Sequence, residues 1–381
     1  MIPRAGVVRT RDTIDWPLLI AVLLIALVGV VNLYSATSVA KGGLADLYVT
    51  QIYWLVAGGI AAVAVAAIDY RHFERLAYVI YGGGILLLLL VFILGRDIHG
   101  AARWIDIGGK QRGFRFQPSE FMKIILALSL AKYLHDDPKV PVGPSGGGRT
   151  LKDLIVPAVL AGIPFALVAK QPDLGTALIL AGIFVSIMAL GKMRWKSLVT
   201  LVLGLAAFSY VAWEYVLHDC QKRRVTSFSN PELDIRGANW HSHHARVAIG
   251  NGGLFGSGYM KGTQNHYLFL PEQQSDFPFP VFAEDWGLIG AVVMIGLYAF
   301  VVLWGLKIAS QAKDRFGAAL AVGISAMIFW HAFFNIGMVT GVLPVVGVPL
   351  PLFSYGGSSV TTVLIGVGLL MNVSMRRHTF A

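Results

Sequence analysis

The stretch that decides the fold is IDWPLLIAVLLIALVGVVNLYSA, residues 14–36, an apolar run whose one charged residue is Asp15. A helix needs ~20 such residues to cross the ~30 Å hydrocarbon core of a bilayer. Arg4, Arg9 and Arg11 precede the run, and no small-residue cleavage site follows it. We therefore interpret it as an uncleaved start-transfer helix and not as a removable signal peptide.

Similar apolar runs recur along the chain. Of its 381 residues, 56% are hydrophobic and 14% are charged, whereas soluble domains contain roughly 25% charged residues. The single cysteine, Cys220, excludes an intrachain disulfide framework. The sequence therefore predicts an all-α integral membrane protein that forms a single polytopic membrane domain over residues 1–381.

Hydropathy predicts about ten transmembrane helices, separated by mostly short loops. The predicted spans are residues 14–36, 50–68, 77–95, 118–134, 153–169, 173–191, 195–217, 278–306, 317–342 and 355–375. Lysine and arginine are concentrated in alternate short loops, so the positive-inside rule predicts that the N- and C-termini are cytoplasmic. The same rule predicts a large extracytoplasmic loop, residues 218–277, between spans 7 and 8.

Two segments on the predicted outer face, residues 96–117 and 218–277, are also basic. They are either ordinary solvated loops or an external basic lining that attracts a polyanion such as a diphosphate. The sequence of these segments leaves both interpretations open.

The stretch GTQNHYLFLPEQQSDFPFPVFAEDWGLIG, residues 262–290, places Asp276 where a polar loop meets an apolar helix. An ionisable group at the boundary of a membrane span is costly unless it has a partner or a function. Asp276 is therefore the first candidate for a functional site.

Two further acids lie near predicted helix starts. Pro118 suits a first helical turn, and Glu120 and Lys123 are three apart, so they share a helix face and are predicted to pair. Such a pair would let both charges enter the membrane, and it is compatible with direct substrate contact. Asp173 follows Pro172 near a helix start, so it either caps that helix or reaches across to Lys123 or Glu120.

The polar residues His331 and Asn335 are four apart in the ninth predicted span, where interhelical hydrogen bonding is expected. The following stretch, residues 346–359, interrupts the helical pattern. Non-helical backbone is tolerated at membrane depth when it is buried in protein or lines a wet cavity.

The histidines His241, His243 and His244 form an HxHH run, which alone is a weak indication of a zinc site. Glycines are frequent over residues 250–262, but their spacing matches no phosphate-binding or dinucleotide-binding motif. Neither pattern supports a cofactor site.

Five motif groups occur in the order found in the SEDS proteins (shape, elongation, division and sporulation), which the sequence resembles over nearly all of residues 14–375. They are GAARWIDIGG with FQPSEFMK, QPDLGTAL, AIGNGGLFGSG with KGTQ, FLPEQQSDF with AEDWGLIG, and NIGMVTGVLPVVGVPLPLFSYGGSS. The VGVPLP form of the last motif resembles the rod-shape (elongation) branch, RodA, more than the division branch.

The resemblance implies a peptidoglycan glycosyltransferase of the bacterial cytoplasmic (inner) membrane that polymerises lipid II on its periplasmic face. It implies that Asp276 is the essential catalytic aspartate. Other functionally important positions of the family correspond to Arg103, Glu120, Lys123 and Asp173. Members often have a second acid where this chain has Leu268, so the role of a second acid is in doubt and Glu272 is the nearest candidate.

The chemistry implied is attack of a sugar 4-hydroxyl on an anomeric carbon with inversion and loss of a lipid diphosphate. A carboxylate that accepts the hydroxyl proton contributes ~10²–10⁴-fold, and this role is assigned to Asp276. Positive charge at the diphosphate would come from Arg103, Lys123 or the loop arginines, with or without a divalent cation, Mg²⁺ or Mn²⁺. No organic cofactor is implied.

The implied partners are lipid II, the nascent glycan strand, a class B penicillin-binding protein (a transpeptidase) and other membrane proteins of the elongation complex, with no nucleic acid. Two alternatives remain: a lipid II flippase and a non-catalytic scaffold for the penicillin-binding protein. A flippase needs charged residues along a path through the bilayer, whereas here they gather near the predicted external face. The enzyme is therefore preferred.

Overall fold

The structure is a computed structural model that describes residues 14–38, 46–98, 101–107, 114–137, 151–190, 240–267, 269 and 272–377. The helices in these ranges are α1 Trp16–Thr37, α2 Leu47–Ala67, α3 Tyr70–Leu94, α4 Pro118–Asp136, α5 Ile155–Lys170, α6 Leu174–Ala189, α7 Trp240–Asn251, α8 Thr263–His266, α9 Pro278–Ser310, α10 Arg315–Val339 and α11 Gly357–Arg376. A short 3₁₀ helix, Leu151–Leu154, precedes α5.

Helices α4, α10 and α11 form the centre of the bundle. Helix α10 packs against α4, α6 and α9, while α11 packs along α2 and α3 packs on α4. In the most apolar stretch of each helix, 78% of α10 residues and 83% of α11 residues are buried, compared with 11% for α2. The peripheral helix α2 therefore presents its apolar side chains to the surroundings, as expected of a helix in contact with lipid.

Seven of the described helices are long and apolar enough to cross a membrane: α1, α2, α3, the segment Lys152–Lys170, α9, α10 and α11. This confirms an almost wholly helical membrane protein. Helix α6 is apolar but shorter, at 16 residues. The predicted span at residues 195–217 and the loop residues 218–239 lie outside the described ranges, so the number of ten spans and the orientation of the termini stay predictions.

The third helix begins before the predicted span. The prediction was residues 77–95, whereas α3 is Tyr70–Leu94. The polar start of this helix was mistaken for a loop, but Asp69 caps it by accepting a hydrogen bond from the Arg71 backbone N–H at 3.0 Å. A cap of this kind extends the helix into polar sequence.

A small antiparallel sheet departs from the all-helical prediction. Its strands are β1 Arg96–Ile98, β2 Ala101–Ile107 and β3 Phe114–Phe116, in the order β1-β2-β3. In the register of β2 and β3, Asp106 is opposite Arg115. Trp104, Ile105 and Ile107 make up three of the seven residues of β2, and aromatic and β-branched residues are enriched in strands. The sheet leads directly into the start of α4.

Helix α9 is broken at Gly287, whose backbone has φ 67° and ψ −167°. The break leaves backbone groups without helical partners, and the loop after α7 supplies them. The N–H groups of Leu288 and Ile289 donate to the carbonyls of Gly253 and Leu254 at 2.9 and 3.2 Å. The glycine-rich loop, residues 250–258, therefore completes the broken helix by accepting hydrogen bonds from the backbone N–H groups that the break leaves without helical partners.

The glycines of this loop are needed because the two backbones approach closely. A Cβ on Gly252 would lie 2.1 Å from the Ala283 carbonyl oxygen, and one on Gly256 would lie 2.1 Å from that of Asp285. These glycines thus have a packing function, which explains why their spacing matches no phosphate-binding motif.

The Gly256→Ala substitution is expected to lower the free energy of unfolding by ~1–3 kcal/mol, because the added methyl group overpacks the contact with α9. Gly253→Ala in the same loop is the matched control, since Gly253 shares the positive φ, at 52°, but nothing lies within 4 Å of its added Cβ. Denaturation of the purified proteins in detergent measures both effects. Equal stability of the two variants would contradict this account of the loop.

Candidate active site

Asp276 lies at the end of a tight turn formed by residues 272–276, hereafter the acidic turn. The backbone N–H groups of Ser275 and Asp276 both donate to the Glu272 carbonyl at 3.1 Å. Glu272 has φ 54°, which reverses the chain direction just before α9 begins at Pro278. The Asp276 side chain is half-buried, so it is both held by protein and accessible.

Two neighbouring residues anchor the acidic turn to distant parts of the chain. The Gln273 side-chain nitrogen donates to the Ala36 carbonyl at the end of α1, at 2.6 Å. The Gln274 carbonyl accepts a hydrogen bond from the Tyr355 backbone N–H at 2.8 Å. The turn is therefore fixed at its two glutamines.

The connection between α10 and α11, residues 341–356, is non-helical and is hereafter called the central segment. Two side chains of α10 hold it: the Asn335 Nδ2 donates to the Val348 carbonyl at 2.7 Å, and the His331 Nδ1 lies 3.0 Å from the Pro349 carbonyl oxygen. Most of its residues from 346 to 354 are buried. Of the two settings that the sequence allowed for this interruption, burial in protein is the one observed for most of these residues.

The central segment meets the acidic turn at Gly347. This glycine has φ 68°, and a Cβ built on it would lie 3.3 Å from Oδ2 of Asp276. Asn335 also reaches the turn, because its Nδ2 donates to the Asp276 backbone carbonyl at 2.9 Å. The carboxylate of Asp276 therefore lies against bare backbone, with no side chain at position 347 to crowd it.

Gly347→Ala is expected to lower activity by more than its effect on stability explains. Alanine at a left-handed φ costs roughly 1–2 kcal/mol, and at this position the methyl group also displaces the Asp276 carboxylate. Gly253→Ala is the matched control, because Gly253 has φ 52° with nothing within 4 Å of its Cβ. Both variants should lose similar stability in a thermal melt, whereas only Gly347→Ala should lower the rate of the reaction. Equal rates in the two variants would contradict the proposed role of Gly347.

Glu120 and Lys123 form a buried ion pair on α4, which confirms the predicted pairing. The Lys123 Nζ lies 2.7 Å from Oε2 of Glu120, and the two side chains are 0% and 3% exposed. The Lys123 Nζ also lies 2.7 Å from the His331 Nε2. Since the His331 Nδ1 must donate to the Pro349 carbonyl, its Nε2 is free to accept from the lysine ammonium. The ion pair is thus connected through His331 to the central segment.

Asp173 caps α6, which is one of the two roles predicted for it. Its Oδ1 accepts from the Thr176 backbone N–H at 3.3 Å. Its Oδ2 accepts from the Gln117 side chain at 3.0 Å and from the Ser119 hydroxyl at 3.3 Å, both at the start of α4. The Arg103 Nη1 lies 3.8 Å from its Oδ1. Asp173 therefore joins the sheet, α4 and α6 at one point.

Sequence reasoning overlooked four polar residues that build this site: Gln117, Ser119, Gln273 and Gln274. All four lie beside candidate acids in FQPSEFMK and PEQQSD. Glutamine is mostly exposed in proteins, yet Gln117 and Gln273 are buried. The signal in the sequence that could have identified them was a side-chain amide next to a candidate acid, although the hydrogen-bond partners of these amides are distant in sequence.

The remaining candidates lie at the edge of the site or elsewhere. Glu272 is exposed, and its carboxylate accepts a hydrogen bond from the Ser275 hydroxyl within the acidic turn at 3.0 Å. Leu268 lies outside the described residues. His241 stacks on Phe277, beside Asp276, at a ring distance of 5.8 Å, whereas the His244 Nδ1 lies 2.8 Å from the Gln264 side-chain oxygen.

Among the described residues, one group has the spacing of metal ligands: Glu74, His135 and Asp136. Lys132 already lies between two of these acids, with its Nζ 3.3 Å from Glu74 and 2.8 Å from Asp136. The group is therefore explained as a cluster of ion pairs near the end of α4, away from the acidic turn.

The fold and site define a class: a polytopic helical membrane protein in which a half-buried aspartate, a buried ion pair and a non-helical segment converge. Comparison with known proteins identifies the family. Residues 15–379 match the sequence model of the FtsW, RodA and SpoVE family, described as a cell cycle protein. The chain belongs to this family, and its relatives place it in the RodA branch.

Two relatives and one solved structure illustrate the similarity. The chain is 38% identical to the peptidoglycan glycosyltransferase MrdB of Escherichia coli K12, over 95% of this chain and 94% of the relative. It is 32% identical to the peptidoglycan glycosyltransferase RodA of Treponema pallidum, over 97% and 99%. A chain from a peptidoglycan synthase complex that coordinates polymerization and crosslinking matches with a TM-score of 0.80 and 31% identity, over 96% and 99%.

Proposed function

We propose that this protein is a peptidoglycan glycosyltransferase that polymerises lipid II into glycan strands during cell elongation. Its curated relatives are named for this transferase activity, and the similarity extends over nearly the whole chain. The observation that supports the activity most is the placement of Asp276. Its carboxylate lies half-buried at the meeting point of the acidic turn and the central segment, where it is both positioned and accessible.

In the proposed reaction, Asp276 accepts the proton of the acceptor 4-hydroxyl as that oxygen attacks the anomeric carbon of the donor sugar. The bond from that carbon to the lipid diphosphate breaks, and the diphosphate leaves with the bonding electrons. One base suffices for a single displacement with inversion, so no covalent sugar intermediate is required. Glu272, the exposed first residue of the acidic turn, is proposed as a supporting acid.

Positive charge stabilises the leaving diphosphate. Arg103 is proposed for this role, because its side chain is 27% exposed even though its guanidinium lies near Asp173. Lys123 is fully buried and paired with Glu120, which favours an organising role over direct contact. Mg²⁺ is commonly bound by one or two carboxylates together with substrate phosphates. The exposed carboxylate of Glu272 with the diphosphate would fit such a requirement for Mg²⁺ or Mn²⁺, which leaves the role of base to the Asp276 carboxylate.

We place the protein in the bacterial cytoplasmic (inner) membrane with Asp276 on the periplasmic side, in accord with the distribution of basic residues in its loops. A class B penicillin-binding protein is the proposed partner, together with other membrane proteins of the elongation complex. The similarity to a chain from a complex that coordinates polymerization and crosslinking supports this partner.

Reconstitution in vesicles with labelled lipid II distinguishes the three candidate functions. The purified protein is assayed with and without its cognate transpeptidase, in Mg²⁺ or in EDTA. The enzyme predicts long glycan strands, and their loss in EDTA would establish a cation requirement. Movement of label between leaflets without strands would instead identify a flippase. Absence of both activities from a folded complex would favour a scaffold.

A further inference from the structure

Asn335 on α10 makes two hydrogen bonds that join separate parts of the site. Its side chain is fully buried, and its one amide nitrogen donates to the carbonyl of Asp276 at 2.9 Å and to that of Val348 at 2.7 Å. An amide group has two N–H bonds in a fixed planar arrangement. Both protons are therefore used on backbone carbonyls, in a geometry that fixes the two acceptors relative to each other.

These two carbonyls belong to the two segments that meet at the carboxylate. One is in the acidic turn, at Asp276 itself, and the other is in the central segment, next to Gly347. We infer that Asn335 is a positioning residue for Asp276, because it sets the distance between the acidic turn and the backbone against which the carboxylate lies. The inference rests on the proposed function, in which Asp276 is the base.

The other side chain that α10 directs to the central segment supports this assignment. His331 is one helical turn before Asn335 and on the same face, and it is hydrogen-bonded to the next carbonyl, that of Pro349. It is held in turn by Lys123 of the buried ion pair. The central segment is thus fixed by His331, and Asn335 connects this fixed backbone to the acidic turn.

Loss of the Asn335 amide should therefore slow the chemical step without weakening substrate binding. A displacement of ~1 Å can lower the rate of an enzymatic step by ~10²-fold. We expect Asn335→Leu to lower kcat for strand formation by ~10–10²-fold, with KM for lipid II unchanged. Leucine keeps the side-chain volume approximately while removing both donors.

Asn372 provides a matched control in the same fold. It is also fully buried, and its amide nitrogen also donates to two backbone carbonyls, those of Val65 and Ile68. Both carbonyls lie at the end of α2, outside the acidic turn and the central segment. Asn372→Leu should lower the thermal unfolding midpoint at least as much as Asn335→Leu, yet it should keep the wild-type kcat.

The experiment compares kcat, KM and the unfolding midpoint of both variants and the wild type, purified in complex with the transpeptidase. If either leucine variant does not fold, the serine pair Asn335→Ser and Asn372→Ser replaces it. A normal kcat in the Asn335 variant, or equal loss of kcat in both variants, would overturn the inference alone. A wild type that forms no strands would overturn the proposed function and this inference with it.

Discussion

The Asp276→Asn substitution is expected to lower the rate of glycan polymerisation by ~10²–10⁴-fold, which is the usual contribution of a positioned general base. Asparagine has the same shape as aspartate but cannot accept the hydroxyl proton at neutral pH. The Asp276 side chain is half-buried, and the turn that Asp276 ends is held by backbone hydrogen bonds. The variant should therefore fold normally. Strand formation from labelled lipid II measures the loss.

Asp46→Asn is the matched control for this substitution. Asp46 is an exposed aspartate just before α2 that makes no side-chain capping bond, and the predicted topology places it on the same side of the membrane as Asp276. The Asp46→Asn variant should polymerise lipid II at the wild-type rate. A wild-type polymerisation rate in the Asp276→Asn variant would show that another group is the base.

The Lys123→Met substitution is expected to lower the free energy of unfolding by ~3–5 kcal/mol, the usual cost of leaving one partner of a buried ion pair uncompensated. Lys123 is completely buried, and its ammonium lies 2.7 Å from both the Glu120 carboxylate and the His331 ring. Methionine has a volume similar to that of lysine, so the loss of stability results from removal of the charge and not from a cavity. Denaturation in detergent measures it.

A second variant separates charge from packing. Glu120→Gln combined with Lys123→Met removes both charges, so the double variant should be more stable than Lys123→Met alone. Lys132→Met is the comparison, because this lysine is 20% exposed and pairs with the half-buried Glu74 and with Asp136, which is 48% exposed. Ion pairs that solvent screens contribute less than buried ones, so this variant should lose less stability than Lys123→Met. A double variant as unstable as the single one would contradict the ion-pair explanation.

Helix α4 shows how much the sequence alone predicts. The expected span was residues 118–134, and the helix observed is Pro118–Asp136. Its start was predictable because proline suits a first turn, and the pairing of Glu120 with Lys123 follows from their spacing of three. These signals are local, so they do not depend on the rest of the fold. An interruption before the last helix was predictable for the same reason, although it was placed at residues 346–359 and the last helix already begins at Gly357.

The anchoring of the acidic turn could not be predicted in this way. Gln273 bonds Ala36, and Asn335 bonds Asp276, so each contact joins residues far apart in the chain. The sequence identified Asn335 as a polar residue on a helix face, for which a partner on another helix was the ordinary expectation. Its partners are backbone carbonyls outside helices, which only the packing of the whole chain brings near.

The broken helix α9 gives a second example. The glycine-rich stretch at residues 250–262 was considered as a phosphate site and set aside, but the backbone that its first part contacts was not recognised. That backbone lies on either side of Gly287, about thirty residues later in the chain. A glycine inside an apolar span has several ordinary explanations in a membrane protein, so nothing local linked the two segments.

The most direct test of the central claim is the rate of glycan strand formation by the purified protein in complex with its cognate transpeptidase. The complex receives labelled lipid II and Mg²⁺, and the wild type is compared with Asp276→Asn and Asp46→Asn. We predict long strands from the wild type and from Asp46→Asn, and almost none from Asp276→Asn. Equal strand formation by all three proteins would contradict the assignment of Asp276 as the catalytic base.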